Sequence, residues 1–181
     1  MDSFDSFGAI LFDEAKSFLE KAQEKKDKRI KQQFLHASLL LGMSALEAYV
    51  NSICEELVEI PEYNLDLYEK MLLSEKKVEL NHGELQLGTQ LQMSRLIDKI
   101  EFIFCKFNHR RVSEIDAWDS EIKSTINLRN KLVHPKESIT LTEKQVEHSL
   151  LSILETVNEL FKAVYHNNVP IYNYKLMATI V

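Results

Sequence analysis

The sequence predicts an all-α protein, an antiparallel bundle of four to five main helices. The 181 residues include only 4 glycines and 3 prolines, which is too few for the many tight turns of a sandwich or a barrel. Apolar residues recur instead at helical spacing over long stretches. A hydrophobic share of 45% and a charged share of 28% are typical of a globular chain, and the length suits one domain over residues 1–181.

The first half of the chain predicts two long helices. The first covers residues 4–25, where the apolar positions fall on one side. Asp27 can cap the second helix, predicted over residues 28–58, because a carboxylate accepts hydrogen bonds from the free N–H groups of a first turn. Pro61 ends this helix, since proline lacks the N–H group that a helix needs to continue.

Residues 61–113 predict a helical elaboration inserted into the bundle. A helix is expected over residues 65–80, a loop over 81–90 and another helix over 90–107.

The last part of the chain predicts two further helices and a tail. One helix covers residues 114–133 and stops before Pro135, and the other covers 142–166 with Thr142 as its cap. Residues 170–181 form an apolar tail that we expect to dock on the bundle or on another chain.

Composition restricts the classes of function that we expect for this protein. A net charge of −6 argues against broad, charge-driven nucleic-acid binding, although it leaves room for a small basic site. Cys54 and Cys105 are isolated, so we expect reduced thiols, a cytoplasmic protein and neither metal nor cofactor. No signal peptide is recognisable. The apolar stretch over residues 39–50 is short and interrupted by Ser44 and Glu47, so no membrane is expected as a partner.

Arg129 is the most informative residue, because the helical wheel places it inside an apolar stripe. Arginine is almost never fully buried unless it is paired, so this guanidinium needs a carboxylate or must line a cleft or an interface. Asn130 and His134 are four residues apart and share a face if the last helical turn holds. The stripe consists of Trp118, Ile122, Thr125, Ile126, Arg129, Leu132 and Val133.

An arginine with a histidine, and without a metal cluster, suits RNA cleavage by internal transfer. Histidine can exchange a proton with the 2′-hydroxyl or the leaving 5′-oxygen near neutral pH. A guanidinium can bind the phosphate with two hydrogen bonds and stabilise the charge that develops on it.

The segment Leu-Arg-Asn-Lys-Leu-Val-His-Pro over residues 128–135 resembles the Arg-x4–6-His motif of the HEPN superfamily, and residues 44–51 resemble its long second helix. The resemblance implies a HEPN-like bundle and a metal-independent endoribonuclease. It also implies a homodimer in which two Arg/His motifs form one composite site. Some members of this superfamily belong to toxin–antitoxin or other defence systems, so an antitoxin or another protein is a possible partner beside the RNA substrate.

The resemblance also implies roles for individual residues. Arg129 would bind and stabilise the phosphate, and His134 would be the acid–base group. Asn130 would orient or contact RNA, and Glu47 would be a supporting polar group. Asn51 and Lys131 are further supporting positions.

Other interpretations remain open. Toxins paired with a nucleotidyltransferase usually carry tyrosine two residues after the histidine, whereas Lys136 stands here, which argues against that pairing. Arg129 and Glu47 can instead be a structural ion pair in a non-catalytic HEPN-like module for protein or nucleotide binding and dimerisation. A third interpretation is a structural bundle whose C-terminal tail docks another protein.

Overall fold

A computed structural model describes the backbone of residues 4–108 and 116–170 and the side chains of residues 7–108 and 120–170. This part of the chain is mostly helical, which confirms the predicted class in its coarse form. Its elements are α1 Phe4–Glu24, α2 Lys28–Glu59, a 3₁₀ turn Pro61–Tyr63, α3 Leu67–Ser74, β1 Lys76–Asn81, β2 Glu84–Leu91, α4 Leu96–Asn108, α5 Asp116–Val133 and α6 Glu143–Tyr165.

A short link joins α1 to α2, so the two helices form a helical hairpin. Asp27 caps α2 as predicted, because its Oδ1 accepts hydrogen bonds from the backbone N–H groups of Arg29 (2.8 Å) and Ile30 (3.2 Å). Ser38 on α2 donates from its hydroxyl to the carbonyl oxygen of Ala15 at 2.7 Å, inside the core. The two helices are therefore joined both at their link and at mid-length.

Two helices, α2 and α6, supply most of the single hydrophobic core. Gly42 allows them to approach closely, since a Cβ atom there would meet a methyl group of Leu150 at 2.5 Å. By length and composition α2 could also cross a membrane, which the interrupted stretch over residues 39–50 did not suggest. The apolar window of α2 is 56% buried, as in the core helix of a bundle.

The prediction of a helix over residues 65–80 is confirmed only for residues 67–74, and the prediction of a loop over 81–90 is wrong. Helix α3 ends at Ser74, and an antiparallel hairpin of β1 and β2 follows, with Leu80 paired to Leu85. Apolar residues alternate along these strands, which is the period of a strand rather than of a helix. His82 and Gly83 have positive φ values of 50° and 87°, as hairpin turns of type I′ require. The inserted segment is therefore part helix and part hairpin.

The ends of α5 and α6 follow the local sequence signals. The backbone N–H of His134 donates to the carbonyl oxygen of Asn130 at 2.9 Å, so the last turn of α5 holds up to Pro135. Thr142 caps α6 as predicted, in a reciprocal hydrogen-bonded pair with Gln145.

Two predictions fall outside the described residues. These are the docking of the apolar tail, beyond residue 170, and the side chain of Trp118 in the α5 stripe.

Candidate functional site

The guanidinium of Arg129 lies between α5 and α2, and its side chain is 25% exposed. Its Nη2 donates to Oε1 of Glu47, and its Nη1 donates to Oδ1 of Asn130 at 3.1 Å. The expectation that this cation requires a carboxylate partner or a cleft is confirmed. An arginine side chain has five N–H donors, so three remain without a partner among the described residues.

The ion pair of Arg129 with Glu47 is partly open to water, because the Glu47 side chain is 42% exposed. Pairs in such surroundings contribute about 1 kcal/mol or less, since water screens the charges and solvates both groups when they separate. Glu47 therefore orients the guanidinium without holding it strongly, and another anion can take its place.

His134 is exposed at the end of α5 and lines a cavity of about 550 Å³. Asn130 and Lys131 line the same cavity, together with residues 136–140 after the helix. The expectation that Asn130 and His134 share a helical face is confirmed. A neighbouring cavity of about 410 Å³ between α5 and α6 shares Lys131 with it.

Arg129 and His134 belong to different cavities of one chain. Five residues of helix separate them, a rotation of about 140° at 3.6 residues per turn. Arg129 lines a cavity of about 210 Å³ with Glu47 and Asn51, away from the cavity of His134. Asn130 connects the two, because it lines the histidine cavity and also accepts a hydrogen bond from Arg129.

Two residues of this region were missed by the sequence analysis. The Lys99 side chain on α4 is only 4% exposed, and its Nζ lies 2.9 Å from Oε1 of Glu75. The same Nζ donates to Oδ1 of Asn51 at 3.1 Å. A signal for Lys99 was present, since it falls among the apolar residues of α4 as Arg129 does in α5. No comparable signal exists for Glu75, which follows the end of α3.

Two other kinds of chemistry, thiolate catalysis and metal binding, find little support in the described residues. Burial raises the pKa of the Cys54 thiol to about 12, so this side chain is not a thiolate nucleophile near neutral pH. Among the side chains described, those of residues 7–108 and 120–170, no three histidine, cysteine or acidic groups come together as a metal-binding group.

No protein-family model, curated protein or solved structure matches this chain. Fold and site define a mostly helical protein with a charged cleft where α2, α4 and α5 meet.

Proposed function

We propose that this protein is a metal-independent endoribonuclease of the HEPN type, acting as a homodimer with a composite site. One observation carries the proposal. Arg129 lines a cavity with Glu47, Asn51 and Lys99, it is oriented by Glu47 and Asn130 with three donors unused, and the exposed imidazole of His134 lies at the end of the same helix. The resemblance of residues 128–135 to the HEPN motif supports the same function.

The proposed reaction is an internal transfer at one RNA phosphodiester. The 2′-oxygen attacks phosphorus, the bond from phosphorus to the 5′-oxygen breaks, and the products are a 2′,3′-cyclic phosphate and a 5′-hydroxyl. One imidazole removes the proton of the 2′-hydroxyl, and another protonates the leaving 5′-oxygen. Arg129 stabilises the negative charge that grows on the phosphoryl oxygens.

A second copy of the chain would supply two things that one copy lacks: a second imidazole, and a His134 that can lie close to Arg129. Internal transfer uses both an acid and a base, and one chain offers a single His134. A two-fold contact brings two copies of each residue together, so that Arg129 of one chain can meet His134 of the other. The proposed setting is cytoplasmic, as a toxin or phage-defence effector.

The test is cleavage of labelled RNA by the purified chain in EDTA, with analysis of the product ends. We expect 2′,3′-cyclic phosphates, and a loss of roughly 100-fold or more in Arg129→Ala and in His134→Ala. Arg29→Ala and His166→Asn are matched controls, because they remove an exposed arginine and an exposed histidine that line neither the Arg129 cavity nor the His134 cavity, and both should retain activity. Cleavage that survives both site variants, or that EDTA abolishes, would contradict the proposal.

The second candidate is a non-catalytic module for binding and dimerisation. The ion pair of Arg129 with Glu47 favours it, because a guanidinium neutralised within its own chain is a common structural feature. It predicts that no RNA is cleaved under any condition, while the chain still forms a dimer.

A further inference from the structure

Lys99 is the one charged side chain that is buried within the described part of the chain. Burying an ammonium group is costly unless it is paired and hydrogen-bonded. Glu75 supplies the charge partner, and the backbone N–H of Ser94 donates to the same carboxylate oxygen at 3.2 Å, which holds Glu75 in place. The ammonium group of Lys99 is therefore held in one position in the cleft.

The contact with Lys99 determines which way the amide of Asn51 points. An ammonium group only donates hydrogen bonds, so Asn51 must turn its Oδ1 towards Nζ. The Nδ2 group then faces away from Lys99 with two N–H donors, and it has no partner among the described residues. Asn51 is exposed, so these donors can reach a ligand.

Asn51 lines the same cavity as Arg129, whose guanidinium also has unused N–H groups. Asn51, Lys99 and Arg129 line the same cavity of about 210 Å³, and Glu47 lies on its wall. This volume is below the range of about 300–1,000 Å³ that whole small molecules occupy, so it suits a compact anionic group better than a base. The partly exposed contact of Glu47 with Arg129 can yield to such an anion.

We propose that this cavity binds a phosphodiester group of the RNA strand through Arg129 and the Nδ2 group of Asn51, and that Lys99 is the positioning residue that aims Asn51. The identity of the ligand as RNA rests on the proposed function. The geometry adds a binding role for Asn51 and positioning roles for Lys99 and Glu75, which do not belong to the Arg/His motif.

The test measures binding without cleavage. The probe is a fluorescent oligoribonucleotide with 2′-O-methyl riboses, which lacks the attacking hydroxyl, and fluorescence anisotropy gives its Kd. We expect Asn51→Asp to bind roughly tenfold more weakly, because a carboxylate replaces the donor that faces the phosphate. Gln33→Glu makes the same change of charge on an exposed site of α2, far from the cavity, and should stay within about twofold of wild type.

A double-mutant cycle tests whether Lys99 acts through Asn51. Asn51→Ala and Lys99→Met should each weaken binding about fivefold, and the double variant should be no weaker than Asn51→Ala alone. The Asn51 arm stands even if Lys99→Met does not fold, because Asn51 is exposed.

Two results would overturn the proposal: an Asn51→Asp variant that binds like Gln33→Glu, or a wild-type chain that does not bind the probe. If the losses of binding free energy in Asn51→Ala and Lys99→Met add up in the double variant, Lys99 does not act through Asn51. If the chain binds the probe through Asn51 but cleaves no RNA, the proposed function is contradicted and the proposed binding site is supported.

Discussion

Two cations occupy helical positions where apolar side chains are expected, and their surroundings differ. Arg129 and Glu47 are 25% and 42% exposed, whereas Lys99 and Glu75 are 4% and 21% exposed. Water screens the first pair and solvates its members when they separate. In the second pair water scarcely reaches the ammonium of Lys99, so its removal leaves the partly buried carboxylate of Glu75 without a charge partner. Arg129 is thus available to a ligand, while Lys99 is held in place.

This difference predicts the effect of two matched substitutions on stability. Lys99→Met should lower the free energy of unfolding by about 3 kcal/mol, because it breaks a largely buried pair. Lys162→Met should change it by less than about 1 kcal/mol, because its partner Glu159 is on the next turn of the same helix and both side chains are solvated. Urea denaturation measures both. Equal losses in the two variants would show that burial of Lys99 carries no special weight.

At the scale of elements, the segment inserted between α2 and α5 completes the cleft. The hairpin closes at Glu75, whose carbonyl oxygen accepts from the backbone N–H of Gln92 at 2.7 Å and whose side chain accepts from Ser94. Helix α4 then presents Lys99 towards α2. The insertion is therefore part of the candidate site rather than a peripheral decoration.

The contact of α5 with α6 carries an electrostatic cost at Glu155. Burial raises the pKa of this carboxyl, and the charges of Glu121 and Glu159 raise it further. The folded state therefore binds this proton more readily than the unfolded state, so the ionised carboxylate lowers stability at neutral pH.

Glu155→Gln should accordingly raise the free energy of unfolding at pH 7. This gain in the free energy of unfolding should shrink as the pH falls. It should vanish below the ordinary carboxyl pKa of 4.5, where Glu155 is protonated in both the folded and the unfolded state. Thermal melts across this pH range measure it. Glu14→Gln makes the same change at an exposed position of α1 and is the control. A gain that does not depend on pH would contradict this account.

At the scale of the whole molecule, one chain presents its two proposed catalytic groups in different cavities. The described residues share one hydrophobic core, and Arg129 and His134 lie on one helix, about 140° apart around its axis. A composite site between two copies accounts for the arrangement without any rearrangement of the bundle.

A subunit-mixing experiment tests the composite site. Arg129→Ala and His134→Ala should be inactive separately, and mixing them after reversible unfolding should restore cleavage above that of either variant, because about half of the new dimers keep one of each residue. The restored activity should stay well below wild type, because these dimers hold only one of the two imidazoles. A mixture of Arg129→Ala with the double variant contains no Arg129 and should stay inactive. If mixed dimers form and remain inactive, the two residues do not act across subunits.

Local signals predicted much of the fold and part of the site. The caps Asp27 and Thr142 and the end of α5 before Pro135 were predictable, since each depends on residues within one helical turn. The need of Arg129 for a carboxylate also followed from its place in the stripe. The hairpin was missed because Val78 continues the helical spacing of Leu67 and Met71, which do lie in α3, although the alternation around His82 and Gly83 was visible.

The chain alone thus determined the start of α2 and of α6, the end of α5 and which cation had to find a partner, because hydrogen-bonding needs and hydrophobic periods are properties of neighbouring residues. Only the tertiary structure decided that Glu47, 82 residues away, is that partner, and that Lys99 reaches Asn51 across 48 residues. Such contacts depend on how whole helices pack against each other, and their geometry is a result of the complete core rather than of any one segment.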